Sequence, residues 1–153
     1  MLASGSSGNA ALLATENTRI LVDAGLSTKE LRRRLTAIGE DDLNCIDAIL
    51  ITHEHSDHVA GLPVLARNKN VHAAFYLTWL TEPAIDWGAC RPPRLETFQA
   101  GSSFPIGDIE VRTPMPIAGH VDDVAAAAVY LASDASRWTT GSAIVVDGGY
   151  AAP

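Results

Sequence analysis

The sequence predicts an α/β (α+β) chain, and three observations carry that prediction. Short β-rich runs, clearest at residues 46–51, alternate with a stretch of helical spacing through Leu31, Leu35 and Ile38. Gly-, Asn- and Asp-bearing turns separate these runs, as compact domains require. Apolar residues make up 47% of the 153 residues and charged residues 19%, which supports a packed core in one domain of ordinary size.

Residues 4–9 read as a Gly/Ser turn. Residues 10–14 and 19–23 read as two strands joined by the polar turn 15–18, with Gly25 breaking the second. Ser27 and Glu30 form a capping box, and the helix they open runs to a stop at Gly39. Residues 46–51 are expected as a buried strand. Residues 57–67 are expected as a helix that Pro63 kinks or ends. Residues 71–77 read as a strand and 81–87 as a short helix. Residues 95–98, 103–106 and 109–112 read as a meander, the last two strands joined by a tight hairpin at Gly107-Asp108. After Pro114 the texture changes. Residues 122–132 are an Ala-rich helix with Val124, Ala128 and Leu131 on one face, 133–141 are turn-like, and 143–146 are a short apolar strand. No repeat or low-complexity tract interrupts the chain.

The formal net charge of −7 argues against a broad electrostatic nucleic-acid surface and leaves room for a local basic groove. Arg32, Arg33 and Arg34 form a tight basic cluster and are expected on a solvated helix face. Cys45 and Cys90 form no CxxC and fit free thiols of a reducing compartment. The N-terminal residues lack the pattern of a signal peptide, and no apolar stretch is long enough to span a bilayer. The expectation is a cytoplasmic protein with no membrane partner.

The densest chemistry lies in Thr52-His53-Glu54-His55-Ser56-Asp57-His58. Imidazole and carboxylate are donors that borderline divalent metals such as zinc prefer. Crowding such groups together is costly unless something pairs with them, and a cation satisfies them all. In an extended segment His53 and His55, two residues apart, face the same way and can reach one ion. Asp57 and His58 follow at the turn into a helix and could hold a second ion. Such a pair of ions would activate water against a phosphoryl or carbonyl group. Glu54 and Ser56 alternate away. Asp23 reads either as a group that orients a ligand imidazole or as a plain strand-end carboxylate. For the whole loop the bland alternative is a solvent loop that is merely His-rich.

Thr52-His53-Glu54-His55-Ser56-Asp57-His58 resembles the HxHxDH motif of the metallo-β-lactamase superfamily. Leu21-Val22-Asp23-Ala24-Gly25 is similar to that superfamily's preceding strand with its buried aspartate. Residues 3–9 and 61–67 resemble its phosphoribonuclease-like or exonuclease-like branch. The resemblance covers residues 1–112. It implies an αββα sandwich, here partial, with one or two Zn2+ (or Mn2+) ions and hydrolysis of a phosphodiester or related ester. It places His53 and His55 on one metal and Asp57 and His58 on the other, with Asp57 also orienting the attacking water as a catalytic residue. Complete members supply a third His, a bridging Asp and a last His downstream. After the motif this chain offers only His72, expected to point away, and His120, near the place of the family's third His. Asp122 or Asp123 could stand in for the bridging Asp. Two protein ligands per metal fall short of the usual three.

Residues 113–153 resemble a second family. Gly119-His120-Val121-Asp122-Asp123, Tyr130-Leu131-Ala132-Ser133-Asp134, Thr140-Gly141 and Val146-Asp147-Gly148-Gly149 are similar to the C-terminal end of short-chain dehydrogenase/reductases. The resemblance implies a Rossmann-like last helix and strand. The working parts of that family are missing: no glycine-rich phosphate loop opens a helix, and no tyrosine has a lysine four residues on. In this setting His120 reads equally as a loop residue before the helix.

The leading expectation is therefore a metal-dependent hydrolase acting on nucleic acid or a small phosphodiester, with its site partly assembled. The alternatives are a non-catalytic metal-binding remnant and an oxidoreductase fragment. Half a sandwich leaves one sheet face open. The tail helix could cover that face, two copies could pair there as a homodimer, or the chain could be a rearrangement that folds poorly.

Overall fold

Side-chain alternation along short strands builds the part of the molecule that carries the motif. The computed structural model describes residues 1–40, 42–114 and 121–147. The elements run β1 (Ala11–Ala14), β2 (Arg19–Val22), α1 (Thr28–Ala37), β3 (Ala48–Leu50), α2 (Ser56–Val59), α3 (Leu62–Arg67), β4 (Ala74–Thr78), β5 (Leu95–Phe98), β6 (Ser103–Ile106), β7 (Ile109–Arg112) and α4 (Val121–Leu131). Two units divide the chain, one of Met1–Gln99 with Ser103–Val111, the other of Ala100–Ser102 with Arg112–Pro153.

In the first unit five strands lie in the order β1-β2-β3-β4-β5. β1 and β2 are antiparallel; β2, β3, β4 and β5 are parallel. The register sets Leu21 beside Ile49 and Ile49 beside Phe75. These residues and Leu77 face one side, where they bury against Leu31 and Leu35 of α1 and Leu62 and Leu65 of α3. Each such leucine, fully buried, contributes about 2 kcal/mol of transfer free energy. Residues of the opposite phase, Ile20, Ala48 and Tyr76, meet Phe104 and Ile106 of β6 and Ile109 and Val111 of β7 on the other face. That second cluster is thinner, and Val22, Leu50 and Tyr76 in it are only half-buried.

The N-cap half of the expected capping box forms, with Ser27 Oγ accepting from the Glu30 amide at 3.3 Å, while the Glu30 carboxylate turns to Arg33 and Arg34; Leu31 and Leu35 are buried. Ile38, expected on the same stripe, is the C-cap and is exposed, because α1 ends at Ala37 and Gly39 turns the chain with φ 87°. The single helix expected at 57–67 is two helices. Gly61 interrupts it by giving its amide hydrogen to the Ala24 carbonyl at 2.7 Å. Pro63 then sits in the first turn of α3, where a missing N–H costs nothing, so it starts a helix instead of ending one. The helix expected at 81–87 shrinks to one 3₁₀ turn, Glu82–Ala84, around Pro83. β5 is not part of a meander; it extends the parallel sheet beside β4, while β6 and β7 form a separate hairpin. Gly107, φ 59°, opens the two-residue turn of that hairpin, as a type II′ turn needs.

In the second unit α4 forms where expected. Ser136 Oγ closes the 3₁₀ turn that follows by donating to the Leu131 and Ser133 carbonyls at 2.9 and 3.0 Å. Residues 143–146, expected as a Rossmann-like strand, join no β-ladder among the described residues. A strand exists only with a neighbour to pair with, and the described residues of the tail segment bring none. Among the described residues no helix is long and apolar enough to cross a membrane.

Candidate metal centre

The motif sits where two parallel strands end. Asp23 directly follows β2, and Thr52 to His58 follow β3, so the loops converge at the carboxyl edge of the sheet, a usual place for sites in parallel sheets. Asp23 adopts φ 60°, a left-handed conformation that Asp tolerates better than most residues. Its amide hydrogen bonds the Leu50 carbonyl at 2.9 Å, and its buried carboxylate turns toward the motif.

That carboxylate accepts three groups. The Thr52 amide donates to Oδ1 at 2.9 Å, the Thr52 hydroxyl donates at 2.9 and 3.0 Å, and His58 Nδ1 lies 2.8 Å from Oδ2. An ionised carboxylate has no proton to give, so His58 carries its hydrogen on Nδ1 and presents a lone pair at Nε2. Thr52 extends the logic. Its single O–H is used on Asp23, so its oxygen accepts from His53 Nδ1 at 3.0 Å, which leaves the lone pair of His53 on Nε2 as well. One aspartate thus sets the tautomer of two imidazoles.

The rings of the motif lie near one another, His53 nearer to His58 than to His55. His53 lies between the others, 4.6 Å from His55 and 4.0 Å from His58 by ring centroids. Asp57 Oδ2 is 3.6 Å from His58 Nε2. Glu54 and Ser56 are exposed. His72 is exposed and precedes β4, at the opposite, amino edge of the sheet. There it lines a recess of about 430 Å³ with Asp47, Tyr76 and Arg94. His120 lies outside the described residues. Asp122 and Asp123 stand in the first turn of α4, in the second unit.

Two residues of the centre escaped the sequence reading. Thr52 is one. Asn9 is the other: its amide nitrogen donates to Asp57 Oδ2 at 2.8 Å and stands 3.1 Å from His58 Nε2. Its backbone is pinned too, accepting from Gly25 N at 3.0 Å and donating to the Asp57 carbonyl at 2.7 Å. Gly25 permits this approach, since a Cβ there would stand 1.7 Å from the Asp57 oxygen. The Gly/Ser turn before Asn9 was the only local signal.

In kind these donors fit a borderline divalent cation: imidazole nitrogens, those of His53 and His58 oriented by Thr52 and Asp23, and one carboxylate. In number they fall short, for among the described residues no three His, Cys, Asp or Glu side chains converge on one point.

The model of the metallo-β-lactamase superfamily matches residues 3–131 of this chain. The chain belongs to the metallo-β-lactamase superfamily. Superfamily membership brings divalent-metal chemistry as a general property, and the matched stretch runs past residue 112 into α4. The chain is 41% identical over 115 residues to the exodeoxyribonuclease WalJ of Streptococcus pneumoniae (strain D39), covering 74% of this chain and 42% of that protein. The Rm3 metallo-β-lactamase shares the superfamily fold with a TM-score of 0.58 at 22% identity, covering 76% of this chain and 48% of the other. A 41-residue match, 54% identical, links the chain to an NADP-dependent (R)-specific alcohol dehydrogenase of Lentilactobacillus kefiri, over 27% of this chain and 16% of that enzyme. This superfamily chain spans less than half the length of its exodeoxyribonuclease relative.

Proposed function

We propose that the chain is a metal-dependent phosphodiesterase of the metallo-β-lactamase superfamily, acting on nucleic acid, with a centre left incomplete by the described residues. The observation that carries this reading is the hydrogen bonding that orients His58 directly by Asp23 and His53 through Thr52, with the two rings 4.0 Å apart by centroid. Similarity to an exodeoxyribonuclease supports a nucleic-acid substrate. His53 and His55 would hold one ion, and Asp57 and His58 another. Zinc or manganese, when bound, would supply Lewis-acid polarisation of the phosphoryl oxygen. Asp57, half-exposed, accepts a hydrogen bond from the attacking water and holds it in line. The two free thiols, Cys45 and Cys90, support a reducing, cytoplasmic setting.

The test is hydrolysis of single-stranded DNA and of a generic phosphodiester by the full chain supplied with Zn2+ or Mn2+. His55→Ala should cut the rate by more than the roughly 10–100-fold that loss of an outer-sphere partner costs. An unchanged rate refutes the reading.

The shortage of converging donors favours a second reading, a metal-binding remnant without turnover. Tight metal by elemental analysis with no hydrolysis of either substrate would select it. The tail, read as a short-chain dehydrogenase/reductase-like segment, carries neither the phosphate loop nor the Tyr-x-x-x-Lys of that family and adds no redox chemistry. The half-buried Val22, Leu50 and Tyr76 support a homodimer through the thin face of the sheet. Light scattering that gives one monomer mass at every concentration would dismiss it.

A further inference from the structure

We propose that the Asn9 amide and a divalent cation compete for Asp57 and His58, so that Asn9, a positioning residue, sets how readily this pair takes a cation. The inference rests on the metal reading above and concerns a residue that reading does not use.

The geometry fixes what Asn9 presents. The Gly5 amide donates to Asn9 Oδ1 at 3.0 Å, so the NH2 end faces the motif. Its two hydrogens meet two acceptors, Asp57 Oδ2 at 2.8 Å and His58 Nε2 at 3.1 Å, which lie 3.6 Å from one another. His58 Nε2 is an acceptor because Nδ1 spends its hydrogen on Asp23. The lone pair of His58 Nε2 is its only one, so it cannot serve the Asn9 N–H and a metal at once, whereas Asp57 keeps further carboxylate lone pairs and only shares Oδ2. The backbone of Asn9 cannot retreat. It is clamped to Gly25 and to Asp57 by bonds of 3.0 and 2.7 Å, at a spot with no room for a Cβ on Gly25. Release is therefore a side-chain rotation that gives up the bonds to Gly5, Asp57 and His58 together. Capture of a cation is thereby coupled to the N-terminal Gly/Ser turn.

Two variants separate competition from simple support. Asn9→Ala removes the competing donor. Asn9→Asp keeps the size and places an acceptor beside the other two, making a three-donor group. The experiment titrates Zn2+ alone into the 15N-labelled full chain and follows the His58 ring nitrogens and the Asn9 side-chain amide. In the wild type both signals should shift with one midpoint. Asn9→Ala should bind zinc about fivefold more tightly, and Asn9→Asp about tenfold or more. A His58 shift with a motionless Asn9 amide, and an Asn9→Ala midpoint no tighter than wild type, overturns this inference alone. No His58 shift in any of the three proteins overturns both this inference and the metal reading beneath it.

Discussion

The Asp23 carboxylate and the His58 imidazole meet at 2.8 Å, Oδ2 to Nδ1, and Asp23 reaches that contact from a left-handed backbone at φ 60°. Asn tolerates the same backbone, so Asp23→Asn tests the carboxylate apart from the turn. The amide presents one acceptor oxygen to three donors and sets an N–H against an N–H. Unsatisfied buried donors cost about 1–3 kcal/mol, which should appear as a lower urea midpoint. Zinc affinity should fall about 10–100-fold, measured by competition with a chelating dye. Unchanged affinity would remove Asp23 from the centre.

The Asp23–Thr52–His53 relay makes a narrower claim. Thr52→Val keeps the shape and loses the oxygen that accepts from His53 Nδ1. The His53 ring should then populate both neutral tautomers, read from its 15N shifts, while His58 keeps Nδ1–H through Asp23. Equal disturbance of both rings would show that Thr52 acts through general packing and not through this bond.

Much of the fold was legible because its signals are local. Short apolar, β-rich runs at 19–23 and 46–51 mark strands, Ser27 with Glu30 marks a helix start, and Gly107-Asp108 marks a hairpin. The motif was legible because His53 to His58 are neighbours in sequence. What failed was decided at long range. β5 has a strand pattern that suits a meander, yet its partner is β4, and strand pattern does not name partners. Asn9 reaches Asp57 and His58 across 48 and 49 residues, and a single polar side chain after a glycine turn carries no local mark of that contact. Residues 143–146 show the reverse: a good local pattern with no neighbour strand among the described residues to realise it.

Gly25 is required for steric reasons. A Cβ there would meet the Asp57 carbonyl oxygen at 1.7 Å and the Asn9 nitrogen at 2.8 Å, both backbone atoms that cannot swing aside. Gly25→Ala must part the Asn9 and Asp57 segments, breaking the bond of 2.7 Å between them. Overpacking of this kind costs about 1–3 kcal/mol or more, so the urea midpoint should drop clearly. Gly39→Ala, where a Cβ meets nothing within 4 Å, is the control; its loss should come only from strain at φ 87°. A Gly25→Ala protein as stable as wild type would mean that the two loops are not in contact.

Acid should loosen α1 in a defined window. Glu30 accepts from Arg33 Nε and Nη2 at 2.9 and 2.7 Å and from Arg34 Nε at 2.7 Å. Those hydrogen bonds, Arg33 first, hold its carboxyl down at about 2 against an ordinary 4.5. The folded value is the lower one. The stabilisation is therefore fully present above pH 4.5 and is lost as pH falls from 4.5 through 2. The melting temperature of the wild type should approach that of Glu30→Gln across this interval, and salt should shrink the gap at neutral pH because Arg33 is exposed and Glu30 and Arg34 are only half-buried. A gap that stays constant from neutral pH down to 2 would show that the Arg33 and Arg34 contacts do not form in solution.

Removal of metal tests the centre as a whole. A cation that binds the folded chain and not the unfolded one stabilises it by about 2.7 kcal/mol at a hundred times its dissociation constant. Zinc should therefore raise the melting temperature of the wild type, and chelator should return it to the lower value. His58→Ala loses the imidazole that Asp23 orients and should abolish most of the zinc-dependent rise. His72→Ala is the matched control, because His72 lies at the amino edge of the same sheet and lines a different recess. Its zinc response should equal the wild-type response. If the two variants respond alike, the stabilising ion sits elsewhere than at the carboxyl edge of β2 and β3. If zinc and chelator move neither melting curve nor midpoint in the wild type, the gathered imidazoles are not a cation site.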